Sequence, residues 1–61
     1  MPEVVVFAAE GRSDAQKRTL LKKITEAVVE SFGVDKESVI VSIQETPKKH
    51  KSRGGVPFDE R

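Results

Sequence analysis

Residues 3–9 read Glu3-Val4-Val5-Val6-Phe7-Ala8-Ala9, a nearly unbroken apolar run rich in β-branched side chains. Such residues favour extended backbone, and a half-exposed strand would alternate apolar with polar positions. This run does not alternate, so it predicts a strand covered on both faces. A chain of 61 residues then has to find two layers of cover for it.

Downstream, Glu10-Gly11-Arg12 reads as a turn, and Ser13-Asp14-Ala15-Gln16 fits a capping box in which Ser13 accepts from the Gln16 amide and Gln16 reaches back. Asp14 also suits the positive end of a helix dipole. From position 14 to about 32 the pattern is helical: Leu20, Ile24, Ala27 and Val28 recur at three- and four-residue spacing, and Leu21 widens the stripe. Lys17, Arg18, Lys22, Lys23, Glu26 and Glu30 fall mostly on the remaining face. Gly33 is placed to stop the helix in the left-handed conformation. A short polar linker over 34–37 leads to SVIVSIQE at 38–45, where Val39, Val41 and Ile43 alternate with Ile40, Ser42 and Gln44. Ile40 is the exception on that polar face. Pro47 ends the strand because it has no N–H for a ladder. The remainder, KKHKSRGGVPFDER at 48–61, is basic and punctuated by Gly and Pro, which predicts a turn or short hairpin with a loose end.

Strand, helix and strand in 45 residues make a β-α-β unit, an α/β (α+β) single domain over 1–61 with parallel strands and a right-handed crossover. One helix covers one face of a two-stranded sheet, so the missing layer is expected from another copy or a partner. Domains this small usually rely on disulfides, metals, tight helical packing or association. The absence of cysteine removes disulfides, thiolate zinc sites and cysteine nucleophiles, and one histidine makes a histidine-rich metal site a poor reading. No apolar run approaches the length of a membrane span, and no secretory signal is visible, which leaves a cytoplasmic location as the expectation. Net charge is +1, so bulk electrostatics gives no argument for nucleic acid.

Pro2 carries the most specific chemistry. An initiator methionine before a small residue is commonly removed, and a terminal proline is then a secondary amine. An α-amino group titrates at about 7.7–8.0 in peptides, and desolvation or nearby cations lower that. Such an amine serves as a general base at neutral pH without histidine. The plainer reading is that Pro2 only leads into a strand.

The opening proline, the first strand, the turn EGRSDAQK at 10–17, the single helix, the second strand and the Gly54-Gly55 pair together resemble the 4-oxalocrotonate tautomerase family. The resemblance covers essentially the whole chain, and AEGRSDAQKRTLLKKITEAV is its most specific part. It implies small β-α-β subunits that assemble, often as homohexamers built as trimers of dimers, and a keto-enol isomerase that needs no cofactor or metal. The implied partner is a small carboxylate substrate, with neither nucleic acid nor membrane. The family's reference reaction converts 2-hydroxymuconate to its conjugated keto isomer, and relatives tautomerise phenylpyruvate.

By the same resemblance Pro2 matches the catalytic base, and Arg12 falls on the arginine that binds a substrate carboxylate, which a guanidinium fork suits through two parallel bonds. A solvated arginine at a helix entrance is the plainer alternative. Two positions depart from the pattern. Ile40 stands where the family has a second arginine that polarises the substrate's keto group from a neighbouring subunit. Lys51 stands where it has a phenylalanine lining the pocket. Ile40 is expected as a pocket wall or as packing against another subunit. Lys51 or Arg53 is expected to restore part of the missing positive charge, against the plainer reading of a solvated basic loop.

Two other classes compete. Lys48, Lys49, Lys51 and Arg53 could bind a polyanion, but no aromatic lies among them, and Phe7 and Phe32 read as core rather than as stacking platforms. The loss at Ile40 motivates a non-catalytic or partner-dependent subunit of a tautomerase-like assembly.

Overall fold

The computed structural model describes residues 1–61, in the order β1 (Glu3–Ala9), α1 (Asp14–Phe32), β2 (Ile40–Thr46) and a hairpin of β3 (Ser52–Arg53) and β4 (Val56–Pro57). β1 and β2 pair in parallel, from Glu3 opposite Ile40 to Ala9 opposite Thr46. The ladder is extended at both ends. The Ile40 N–H donates to the Pro2 carbonyl at 3.0 Å, and the Glu10 N–H donates to the Thr46 carbonyl at 3.1 Å.

Local chemistry sets the ends of α1. The Gln16 N–H donates to Ser13 Oγ at 3.1 Å and the Ser13 N–H donates to Gln16 Oε1 at 3.0 Å, so the capping box satisfies two otherwise orphaned donors. At the far end Gly33 adopts φ 66°, a left-handed conformation that a side chain would strain, and its N–H donates to the Val29 carbonyl at 2.9 Å. Thr25 turns its hydroxyl back to the Leu21 carbonyl at 2.8 Å, which lets it occupy a half-buried position without an orphaned donor.

The half-buried positions include Val4, Val6 and Ala8 on β1, Val41 and Ile43 on β2, and Leu21, Ile24, Thr25, Val28 and Val29 on α1. The helix is therefore rotated from the expected stripe. Leu20 and Ala27 are exposed, because the sheet-facing row runs through Leu21, Thr25 and Val28. The second strand begins two residues later than expected. Its first two expected positions are taken up by a 3₁₀ turn over Lys36–Ser38 and the residue after it, since Ser38 bonds the Asp35 carbonyl through both its N–H and its hydroxyl.

β1 does not find cover on both faces within one chain. Val5 and Phe7 point away from the helix, with Phe7 72% exposed, and Phe32 at 68% is likewise outside any core. No residue of the chain is fully buried. A folded monomer of this mass exposes roughly 4,000 Å². This chain exposes 4858 Å². The excess of several hundred Å² is comparable to the roughly 800 Å² that each partner buries in a standard interface.

The C-terminal segment is ordered by backbone bonds rather than loose. Pro47 leads into a 3₁₀ turn over Lys48–His50, closed by the His50 N–H on the Pro47 carbonyl at 2.8 Å. Gly54 and Gly55, both at positive φ, turn β3 into β4 as a two-residue hairpin of the I′ kind. The Phe58 N–H then donates to the Lys51 carbonyl at 2.8 Å, and Arg61 Nη1 donates to the Arg53 carbonyl at 3.1 Å. No helix is long and apolar enough to cross a membrane.

Ser13→Ala removes the accepting half of the capping box and is expected to lower stability by about 1 kcal/mol. Urea unfolding at fixed protomer concentration checks this; an unchanged midpoint would show that the helix start is held by packing instead.

Candidate active site

The chemistry-bearing residues sit at opposite ends of β1. Pro2 is half-buried at its start, where its carbonyl accepts the Ile40 N–H. Ile40 pairs with Glu3 and is 43% exposed, so its side chain lies on the open face rather than joining the helix-facing row. With Met1 attached, the Pro2 nitrogen is an amide without a basic lone pair; once Met1 is removed, the same nitrogen is a secondary amine.

Arg12 lies beyond the other end. Seven residues of β1 at roughly 3.3 Å each place the Arg12 turn about 20 Å from Pro2. Three restraints surround that turn: the Glu10–Thr46 backbone bond, the capping box, and a link from Lys17 to Glu45. Lys17 Nζ lies 2.8 Å from Glu45 Oε1 and 3.6 Å from Asp14 Oδ1. The first turn of α1 is thereby tied to β2 at the residue opposite Ala8. The Lys17 ammonium is held above its ordinary pKa, first by the hydrogen bond to Glu45 and then by the charges of Glu45 and Asp14, against partial desolvation.

Those are the chain's only ion pairs, which leaves Arg12 without a carboxylate partner. Arg12 borders two surface clefts. One, of about 260 Å³, is lined by Ala8, Ala9, Glu10, Gly11, Arg12 and Lys48. The other, of about 240 Å³, is lined by Arg12, Gln16, Lys17 and Leu20. An unpaired guanidinium at a cleft rim can take a carboxylate through two parallel bonds.

The remaining expected site residues divide between two surroundings. Lys51 is half-buried, with Nζ 6.0 Å from the centre of the Phe58 ring. Arg53 lines a further cleft of about 320 Å³ with Lys48, Phe58 and Arg61. One chain therefore gathers Arg12, Lys51 and Arg53 toward one end of the sheet and Pro2 with Ile40 at the other. Lys48 reads from the sequence only as one of a basic run. The signal that singles it out is its place directly after Pro47, where the strand has ended beside the Arg12 turn. No three His, Asp or Glu side chains converge as metal ligands would.

A family model described as Tautomerase enzyme matches residues 2–61. The chain belongs to the tautomerase family. It is 48% identical over its full length to a probable tautomerase of Bradyrhizobium diazoefficiens, covering 91% of that protein. It is 47% identical to the 2-hydroxymuconate tautomerase of Bacillus subtilis over 90% of this chain and 89% of that one. Among solved structures, a heterohexamer 4-oxalocrotonate tautomerase from Chloroflexus aurantiacus J-10-fl superposes with a TM-score of 0.90 at 33% identity, over 98% of this chain and 97% of that one. Membership of the tautomerase family supports an isomerase activity for the chain.

The raised Lys17 pKa gives a signed expectation. A lysine whose folded pKa exceeds its unfolded value contributes stability that is fully present below the ordinary 10.5 and is lost as pH rises through the folded value. Lys17→Met should therefore be less stable than wild type by a constant margin at pH values below the ordinary 10.5, and the margin should narrow as pH rises beyond it. Thermal melts across that range check it. A margin that persists at the alkaline end would mean the lysine stem, not its charge, holds the turn.

Proposed function

We propose that the chain is a cofactor-independent keto-enol tautomerase acting on a small 2-hydroxy-dienoate or 2-oxo acid, with Pro2 as general base and Arg12 as carboxylate anchor. The observation that carries this reading is the position of Pro2, at the head of β1 beside the apolar Ile40 and hydrogen-bonded through its carbonyl to β2. Freed of Met1, its nitrogen is a secondary amine, a group that can serve as general base without histidine. The amine takes the proton from the 2-hydroxyl of the dienol as the oxygen becomes a carbonyl. The electron pair moves along the diene, and the resulting ammonium returns the proton to the distal carbon. Atoms and charge balance without a cofactor.

Pro2 and Arg12 of one chain are too far apart to hold one small acid, so the anchor comes from a second copy. The open face bearing Val5 and Phe7 and the excess exposed area support a homo-oligomer, and the family's habit points to a hexamer. Ile40 supplies no hydrogen bond to an enolate oxygen, so 2-hydroxymuconate turns over more slowly than where an arginine stands; one such donor accounts for about 10²–10³ in rate. Lys51 and Arg53 add positive charge in the segment next to the anchor. Because a heterohexameric relative exists, Ile40 also favours a second reading, in which a partner chain supplies the missing donor.

The test is ultraviolet-detected tautomerisation of 2-hydroxymuconate and phenylpyruvate by protein whose intact mass lacks Met1. Pro2→Ala should lower turnover at least about 10²-fold with elution volume unchanged, and Arg12→Ala should act mainly on KM. Turnover equal in wild type and Pro2→Ala would overturn the base assignment. Turnover that appears only on mixing with a second chain would establish the partner-dependent form. Separately, sedimentation should give a multiple of the 6.8 kDa protomer, and Phe7→Asp should dissociate it; a wild-type monomer would remove the shared site.

A further inference from the structure

We infer that Lys48 is a second anion-binding residue of the Arg12 cleft and sets the affinity for the substrate carboxylate. This rests on the assignment of Arg12 as anchor. Lys48 follows Pro47, whose fixed φ of −54° starts the 3₁₀ turn just after β2 ends. The last residue of β2, Thr46, accepts the Glu10 N–H, so the base of Lys48 is tied to the Arg12 turn through two residues of backbone. The Lys48 side chain then lies back over that turn. A side chain on Gly11 would begin 3.9 Å from both Cε and Nζ of Lys48, so the ammonium lies close to the space above Gly11, one residue before Arg12. Gly11 sits at φ 126°, a conformation that disfavours any side chain there, and this keeps the approach open.

Arg12 and Lys48 are thus two cations on one cleft of about 260 Å³, and neither has a carboxylate partner. The only acid on the cleft is Glu10, which forms no ion pair with either. Two unpaired cations held beside one space repel each other, and a carboxylate between them relieves that repulsion while accepting from both. Arg12 supplies the planar fork and Lys48 a mobile point charge. Lys49, next in sequence and equally basic, lines none of the clefts and provides an internal control.

The probe is sorbate, a six-carbon dienoate without the 2-hydroxyl or oxo group that tautomerisation needs, with neutral sorbamide beside it. Binding is measured by calorimetry or NMR titration on the Met1-free assembly, so the readout does not depend on turnover. Lys48→Met should weaken sorbate about fivefold to tenfold at low salt and leave sorbamide unchanged, a size between an exposed ion pair and a charge-assisted hydrogen bond. The difference should shrink at high salt. Lys48→Arg should restore binding to within about twofold, and Lys49→Met should match wild type. Equal effects of Lys48→Met and Lys49→Met, or equal loss of sorbate and sorbamide, would overturn the inference. If Arg12→Ala abolishes sorbate binding and Lys48→Met does not, Lys48 alone is misassigned. If sorbate binds no better than sorbamide, or neither variant weakens it, the Arg12 anchor fails together with Lys48.

Discussion

A single helix covers only one face of a two-stranded sheet, and most features of this chain follow from that limit. β1 is apolar at nearly every position, but only Val4, Val6, Ala8 and Ala9 are half-buried. Val5 and Phe7 are left on the open side, and no residue reaches full burial. Hydrophobic burial is the main favourable term in folding, at about 25 cal/mol for each Å² removed from water. By leaving Val5, Phe7 and Phe32 exposed to water, the chain forgoes up to about 1.5–3 kcal/mol for each, a large share of the net stability of a small domain. Its folding and its association are therefore one problem.

The same limit shapes the site. A strand of seven residues separates the Pro2 end from the Arg12 end, so no single chain brings these two residues to one small acid. Each end is nonetheless built locally. Pro2 is fixed by the first rung of the ladder, and the Arg12 turn is enclosed by the last rung, the capping box and the Lys17–Glu45 pair. Lys17 takes Glu45 and Asp14, while Arg12 and Lys48 form no ion pair.

The elements legible in the sequence were those specified by local chemistry. Ser13 and Gln16 mark the helix start, Gly33 its end, Pro47 the end of β2, and Gly54-Gly55 the hairpin turn, because each acts on backbone within a few residues. Legibility fell where the outcome depended on a distant neighbour. Leu20 and Ala27 fit a helical stripe as well as Thr25 does, yet the sheet takes the row through Leu21, Thr25 and Val28, since periodicity fixes the existence of a face but not its rotation. Ser38 reads as part of a strand by alternation, and its bonds to the Asp35 carbonyl draw it into a turn. The tail at 58–61 has no apolar periodicity, and its order comes from bonds to the Lys51 and Arg53 carbonyls that no local pattern announces.

The sequence by itself determined the β-α-β order, the caps and the need for a covering layer, and its resemblance to the family singled out Pro2 and Arg12 as candidates. These are readable because they depend on residue type and short-range spacing. Only the tertiary structure decided that Pro2 and Arg12 lie at opposite ends of one strand, that Lys17 pairs with Glu45 and Asp14, and that Lys48 lies near Gly11 on the Arg12 cleft. Those facts depend on the parallel register of β1 and β2, which joins residues almost forty positions apart and is set by the packing of the whole unit.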